Sequence, residues 1–174
     1  MNHAGSIILI GFMGAGKTTV GKTLSEMLSL PFVDTDSYIE EITGMKISAI
    51  FAQYGEEYFR RLETQAIQRM VEQERQSIVS CGGGLVLREE NRVLLKQLGT
   101  VVYLVVSPET VVLRLSGDTT RPLLQGEDAG KRIRALLASR KDKYEAAADL
   151  QVCADDASPE EICIKILSEF KKST

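Results

Sequence analysis

Apolar residues follow two rhythms along this chain. Short continuous runs, of which Ile7-Ile8-Leu9-Ile10 is the clearest, predict fully buried strands, whereas longer segments carry apolar residues at helical spacing. The expected strands are Ser6 to Ile10, Pro31 to Val33, Ser77 to Ser80, Thr100 to Val106 and Leu150 to Cys153. Between them, Val20, Leu24, Met27 and Leu28 form one helical stripe, and Phe59, Leu62, Ala66 and Met70 form another. Ser107-Pro108-Glu109 and Ser158-Pro159-Glu160-Glu161 each combine a capping serine, a proline at the first helical position and acid in the first turn, so both predict helix starts. A further helix is expected from Gly130 to about Ala147. Strands alternating with helices predict an α/β fold with a five-stranded parallel sheet. No repeat or low-complexity tract interrupts it.

Ser116 to Gly130 matches neither rhythm. It is polar, with three glycines and a proline, which suits either an ordinary surface loop or a mobile lid.

Length and composition narrow the picture. At 174 residues and 44% hydrophobic positions, one domain spanning 1–174 is expected. The 21 Lys and Arg against 24 Asp and Glu include no block of like charge, which argues against a nucleic-acid or membrane surface. Cys81, Cys153 and Cys163 are widely spaced among apolar residues and suit a reducing compartment. With no signal peptide and no apolar run of membrane-spanning length, a cytoplasmic protein is expected. The only histidine, His3, lies near the N-terminus, so histidine-based catalysis loses most of its support.

The chemistry starts at Gly11 to Thr18, "GFMGAGKT", which fits G-x-x-x-x-G-K-[ST] between an expected strand and an expected helix. Its glycines let backbone N–H groups converge on phosphate oxygens, the helix N-terminus adds its positive dipole end, Lys17 reaches the β/γ-phosphates, and Thr18 can ligate Mg²⁺. The guanine-reading Asn-Lys-x-Asp motif is absent, and Leu115-Ser116-Gly117-Asp118 stops short of the signature of transporter ATPases. Small kinases remain the leading class.

Other residues bear on the acceptor. Asp34-Thr35-Asp36 follows the second strand at the sheet edge where phosphates would lie, so these acids need Mg²⁺ or a hydroxyl-bearing substrate between them and the phosphates; Asp36 capping a helix from Ser37 is the bland alternative. Arg140 falls three, four and seven residues after Leu137, Leu136 and Ile133, on their apolar face, and must find an anion there, either a ligand or a structural salt-bridge partner. Arg60 could be satisfied by Glu56 and Glu63 on its own helix. Gly82-Gly83-Gly84, after the third strand, suits close approach of a ligand to the main chain or a tight turn. Cys81 is expected to be buried and inert.

The ordered set Gly11 to Gly21, Phe32-Val-Asp34-Thr-Asp36, Phe59-Arg60-Arg61-Leu-Glu63, Gly82 to Gly84, Arg121-Pro-Leu-Leu124 and Arg140 resembles the shikimate kinases over nearly the whole chain. That resemblance implies a P-loop kinase three-layer sandwich with helices on both faces of the sheet, and transfer of the ATP γ-phosphoryl to the 3-hydroxyl of shikimate, a step toward chorismate. It implies an ATP site at Gly14, Ala15, Gly16, Lys17, Thr18 and Thr19, with Arg114 and Pro159 around adenine. Arg60 and Arg140 would grip the shikimate carboxylate, while Asp36 and the Gly82, Gly83 and Gly84 backbone would hold its ring hydroxyls. Mg²⁺ would be bound by Thr18 directly and by Asp34 and Ser80 through water. The segment at about 116–130 would be the lid that brings Arg121 to the transferring phosphate, with Lys17 and Asp36 as the other catalytic groups. A monomer is expected. The rivals are another small-metabolite kinase, such as a gluconate kinase, and a regulatory module that binds ATP without catalysis.

Overall fold

The computed structural model describes residues 5–116 and 128–172. Its strands are β1 (Ser6–Ile10), β2 (Phe32–Asp34), β3 (Ile78–Ser80), β4 (Gly99–Val105) and β5 (Leu150–Cys153), paired in parallel in the order β2-β3-β1-β4-β5. Parallel neighbours need crossovers, and helices supply them. These are α1 (Lys17–Leu28), α2 (Thr35–Thr43), α3 (Ile47–Gln73), α4 (Glu89–Leu98), α5 (Pro108–Leu115), α6 (Ala129–Ala147) and α7 (Pro159–Lys172), with a 3₁₀ turn at Leu85–Leu87.

Strand alternation divides the core into two faces. Ile7 and Leu9 of β1 join Val102, Leu104 and Val152 against Val20 and Leu24 of α1 and Ile162 and Ile166 of α7. Ile8 and Ile10 face the other way with Val79, Val101 and Tyr103, against Ile67 and Met70 of α3, Leu95 of α4 and Tyr144 of α6. The sheet is therefore buried on both sides, as its continuous Ile/Val runs predict. A smaller cluster joins Ile39 of α2 to Ile50, Phe59, Leu62 and Ala66 of α3.

The expected strands are all present, with ends displaced by one residue in three of them. Pro31 has no N–H for the ladder, and its carbonyl instead accepts from Ile78 N–H at 2.8 Å, so β2 begins at Phe32. The Ser77 N–H donates to Ser6 Oγ at 3.0 Å, and β3 begins one residue later. Gly99 pairs with Ser6 and opens β4 one residue early; a Cβ there would overlap the Ser6 backbone. The α1 stripe also needs correction. Met27 and Leu28 are 48% and 37% exposed, while Gly21 is buried against the Phe32 ring, whose Cε2 would lie 2.5 Å from a Cβ at that position.

Strand order locates the ligand crevice. From β1 the chain passes over β3 to reach β2, and from β3 it passes back over β1 to reach β4. The direction reverses between β1 and β3, and ligands of open α/β sheets bind outside the strand C-termini at such a reversal. Leu9 pairs with Ser80 there, and Cys81 N–H donates to Leu9 O at 3.0 Å.

Candidate active site

The loop after β1 takes the backbone shape its glycines permit. Gly14 (φ 78°) and Gly16 (φ 88°) lie in the left-handed region, and Gly16 is the residue from which α1 springs. Ala15 is buried and its N–H donates to Phe12 O at 3.1 Å. Lys17 Nζ folds back over the loop, donating to Gly11 O at 2.8 Å and Phe12 O at 2.9 Å. Thr18 and Thr19 stand exposed in the first turn of α1. Arg114, near the end of α5, donates to Gly14 O at 3.1 Å and to Ala154 O at 2.6 Å, tying the loop to the segment that leads to Pro159 at the start of α7.

β2 and β3 deliver oxygen ligands beside this loop. Asp34 pairs in register with Ser80, and Thr18 Oγ1 donates to Asp34 Oδ2 at 3.4 Å. Asp34, not Asp36, caps α2: its Oδ1 accepts from Asp36 N–H and Ser37 N–H, each at 3.1 Å. The helix therefore starts at Thr35, and Asp36 sits in its first turn, where the side chain is released from capping. Asp36 Oδ1 is buried without a hydrogen-bond partner among the described residues. Burial raises its pKa from the usual carboxylate value and the Asp34 charge adds to this, while Lys17 and Arg60 oppose it.

The glycine loop after β3 collects the remaining groups. Gly82 N–H donates to Thr35 Oγ1 at 2.9 Å. A Cβ at Gly82 would stand 2.8 Å from Asp36 Oδ1 and 3.2 Å from Glu63 Oε1; one at Gly83 would stand 3.8 Å from Arg140 Nη1; one at Gly84 would stand 2.5 Å from Arg60 Nη1. Close approach thus accounts for Gly82 and Gly84, whereas a Cβ at Gly83 would make only ordinary contacts. Side chains from α2, α3 and α6 converge on one short piece of backbone beside the phosphate loop, and the Arg140 guanidinium also lies 5.9 Å from the Phe12 ring centroid.

The two arginines differ. Arg60 is 12% exposed and pairs with Glu63 at 2.8 Å and Glu56 at 3.1 Å, as the helical spacing allows. Arg140, on the face of Ile133, Leu136 and Leu137, has no carboxylate within ion-pair distance among the described residues. The salt-bridge alternative therefore has no partner there.

Glu63 is a feature whose role the sequence conceals. Its side chain is 1% exposed, one oxygen pairs with Arg60, and Oε1 has no partner among the described residues. Burial raises its carboxyl from 4.5 to about 7, against the pull of Arg60. The folded state then holds this proton more tightly than the unfolded chain, so the contribution to stability is fully present below about pH 4.5 and is lost as pH rises through about 7. Urea-unfolding midpoints followed across that window should fall by the equivalent of up to about 3 kcal/mol from this group. Glu63→Gln should flatten that part of the slope; equal slopes in both proteins would mean that Glu63 titrates as an ordinary carboxylate.

Cys81 is 2% exposed and burial pushes its thiol well above the ordinary range, in keeping with an inert residue. Arg121 and most of the 116–130 segment lie outside the described residues. A cavity of about 680 Å³ opens at the opposite, N-terminal end of the strands, lined by residues such as Ser6, Gln76 and Thr100, and takes no part in this constellation. Thr35, Phe12 and Tyr144 also went unmarked by sequence reasoning. For Tyr144 there was a signal, because it continues the Ile133, Leu137, Arg140 stripe by one more helical turn.

Comparison with known proteins identifies the family. A family model described as shikimate kinase matches residues 13–171. A shikimate kinase from Thermodesulfovibrio yellowstonii is 43% identical over 167 residues, covering 96% of this chain and 95% of that protein. The solved structure of shikimate kinase from Acinetobacter baumannii in complex with shikimate is similar with a TM-score of 0.90 and 36% identity, covering 98% of this chain and 94% of that one. A gluconokinase from Sinorhizobium meliloti, at TM-score 0.59 and 17% identity over 99% of this chain and 94% of that one, is alike in fold alone.

Proposed function

The chain belongs to the shikimate kinase family, ATP-dependent kinases acting on shikimate, and on that premise we propose how its own residues divide the work of phosphoryl transfer. The observation that carries the proposal is the convergence of Asp36, Arg140 and Arg60 on Gly82 to Gly84, beside the phosphate loop.

Gly14 to Thr19 hold the ATP phosphates, with backbone N–H groups and the N-terminus of α1 facing the negative charge. Lys17 neutralises charge on the transferring group. Arg140, with Arg60 beside it, takes the shikimate carboxylate in charge-assisted hydrogen bonds whose planar geometry suits guanidinium. Asp36 Oδ1, buried and unpartnered among the described residues, accepts a ring hydroxyl and orients it toward the phosphate. Its demand as a base is small, because a loose phosphoryl-transfer transition state leaves little proton transfer to catalyse. Arg114 and Pro159 flank adenine, a role supported by the ties of Arg114 to Gly14 and Ala154.

The donor set beside the phosphate loop also suits Mg²⁺. Thr18, Asp34 and Ser80 offer hard oxygens, and Thr18 and Asp34 already touch. No group of three or more His, Cys, Asp or Glu among the described residues forms an all-protein cage, and Mg²⁺ is usually held by one or two carboxylates plus substrate phosphates. When bound, the ion would neutralise phosphate charge. The free thiols of Cys81, Cys153 and Cys163 support a cytoplasmic setting. Among the described residues no helix is long and apolar enough to cross a membrane.

A coupled ADP-release assay with shikimate, gluconate and a nucleoside monophosphate tests this. Shikimate should be preferred and its product phosphorylated at the 3-hydroxyl; preference for gluconate, or no turnover above background ATPase, would overturn the assignment.

Gly84→Ala offers a sharper test of the carboxylate site. Gly84 has φ −100° and ψ −2°, which alanine adopts without strain, and the three atoms nearest the new Cβ all belong to the Arg60 guanidinium, the closest at 2.5 Å. A flexible side chain can swing aside. The variant should remain folded while the shikimate KM rises about tenfold; an unchanged KM would remove Arg60 from the site.

A further inference from the structure

We propose that Tyr144 is a positioning residue for the acceptor site, its hydroxyl locking the Gly82–Gly84 loop to the helix that carries Arg140. The inference rests on the acceptor-site reading above and deepens it.

Tyr144 is fully buried, and its ring stacks on Tyr103 with centroids 5.0 Å apart and planes 22° from parallel. Ring packing alone would be served equally well by phenylalanine. The hydroxyl, however, donates to Gly83 O at 2.6 Å across 61 residues of sequence. That bond fixes more than one atom. The peptide unit is planar and trans, so a Gly83 carbonyl held toward α6 turns the N–H of Gly84 away from it. Gly82 is held by Thr35 through its N–H and by Leu85 N–H through its carbonyl, at 2.9 Å and 3.0 Å, which leaves the Gly83–Gly84 peptide as the part that Tyr144 controls.

Arg140 lies one helical turn before Tyr144. Burial raises the phenol to about 12 and the Arg140 charge pulls against that rise, and the two side chains share one helical face. Arg140 Nη1 would be 3.8 Å from a Cβ at Gly83. One hydroxyl thus sets the distance between the cation for the substrate carboxylate and the backbone donors for its hydroxyls. Glycine-rich backbone has little stiffness of its own, and a clamp of this kind supplies it.

The test is Tyr144→Phe, studied beside Arg140→Ala and a Tyr103→Phe control that removes a hydroxyl from the same ring stack. Loosening the loop weakens shikimate equally in ground and transition states, so the shikimate KM should rise about tenfold with kcat nearly unchanged. The ATP KM should stay at its wild-type value, and Tyr103→Phe should show no such split. If Arg140→Ala raises the shikimate KM and a folded Tyr144→Phe does not, the positioning role is overturned while the acceptor site stands. If Tyr144→Phe fails to fold, the hydroxyl is structural and the proposal is likewise overturned. If Arg140→Ala leaves the KM unchanged, the acceptor-site reading itself fails.

Discussion

Lys17→Ala should lower kcat by about two to three orders of magnitude, the effect of removing one preorganised electrostatic donor from a site where charge develops. The ammonium lies 2.8 Å from Gly11 O and 2.9 Å from Phe12 O, held over the loop that would cradle the phosphates. Phosphoryl transfer offers the protein little covalent work, so positioning and charge neutralisation carry the catalysis. The shikimate KM should change much less, because Arg60 and Arg140 are supplied by other helices. The measurement is steady-state kinetics with both substrates varied and thermal midpoints compared. Near-normal turnover would end the assignment of Gly11 to Thr18 as the phosphate site.

Arg140→Ala should raise the shikimate KM by roughly thirty- to nearly a thousand-fold, corresponding to about 2 to 4 kcal/mol for a charge-assisted pair. Its half-buried guanidinium lies near Phe12 and Gly83 with no carboxylate in ion-pair distance among the described residues, which is the observation behind the proposed carboxylate role. A structural arginine would show the opposite pattern, with lost stability and an unchanged KM. Arg140→Lys should recover only part of the loss, because an ammonium does not present two parallel donors. Unchanged KM and kcat in the alanine variant would return Arg140 to a packing role.

The phosphate loop was legible in the sequence because its requirements are local: glycines at fixed offsets, then lysine and threonine, between a strand and a helix. The inward aim of Arg140 was legible for a similar reason, since helical period ties it to Ile133 and Leu137. Which acid caps α2 was not. Asp34 and Asp36 are chemically alike, and only the extended backbone at Asp34, φ −100° and ψ 125°, decides that its side chain turns back to the helix N-terminus. Burial of Glu63 was concealed as well, because an acid on a helix beside an arginine is ordinarily solvated; here the glycine loop packs over it. The partner of Tyr144 lies on another element, and no local pattern could pair them. Met27 and Leu28 misled because helical period marks a face without marking where the sheet beneath it ends.

The central position of β1 has a consequence for synthesis of the chain. The strand that leads into the phosphate loop is made before β4, but it pairs with β4 through Ile8 to Val101 and Leu9 to Val102. Until residues 99–105 leave the ribosome, the most apolar strand of the sheet keeps an open ladder edge, a template for pairing with other chains. The nascent protein is therefore most exposed to aggregation during its first hundred or so residues, the interval in which a chaperone would matter most.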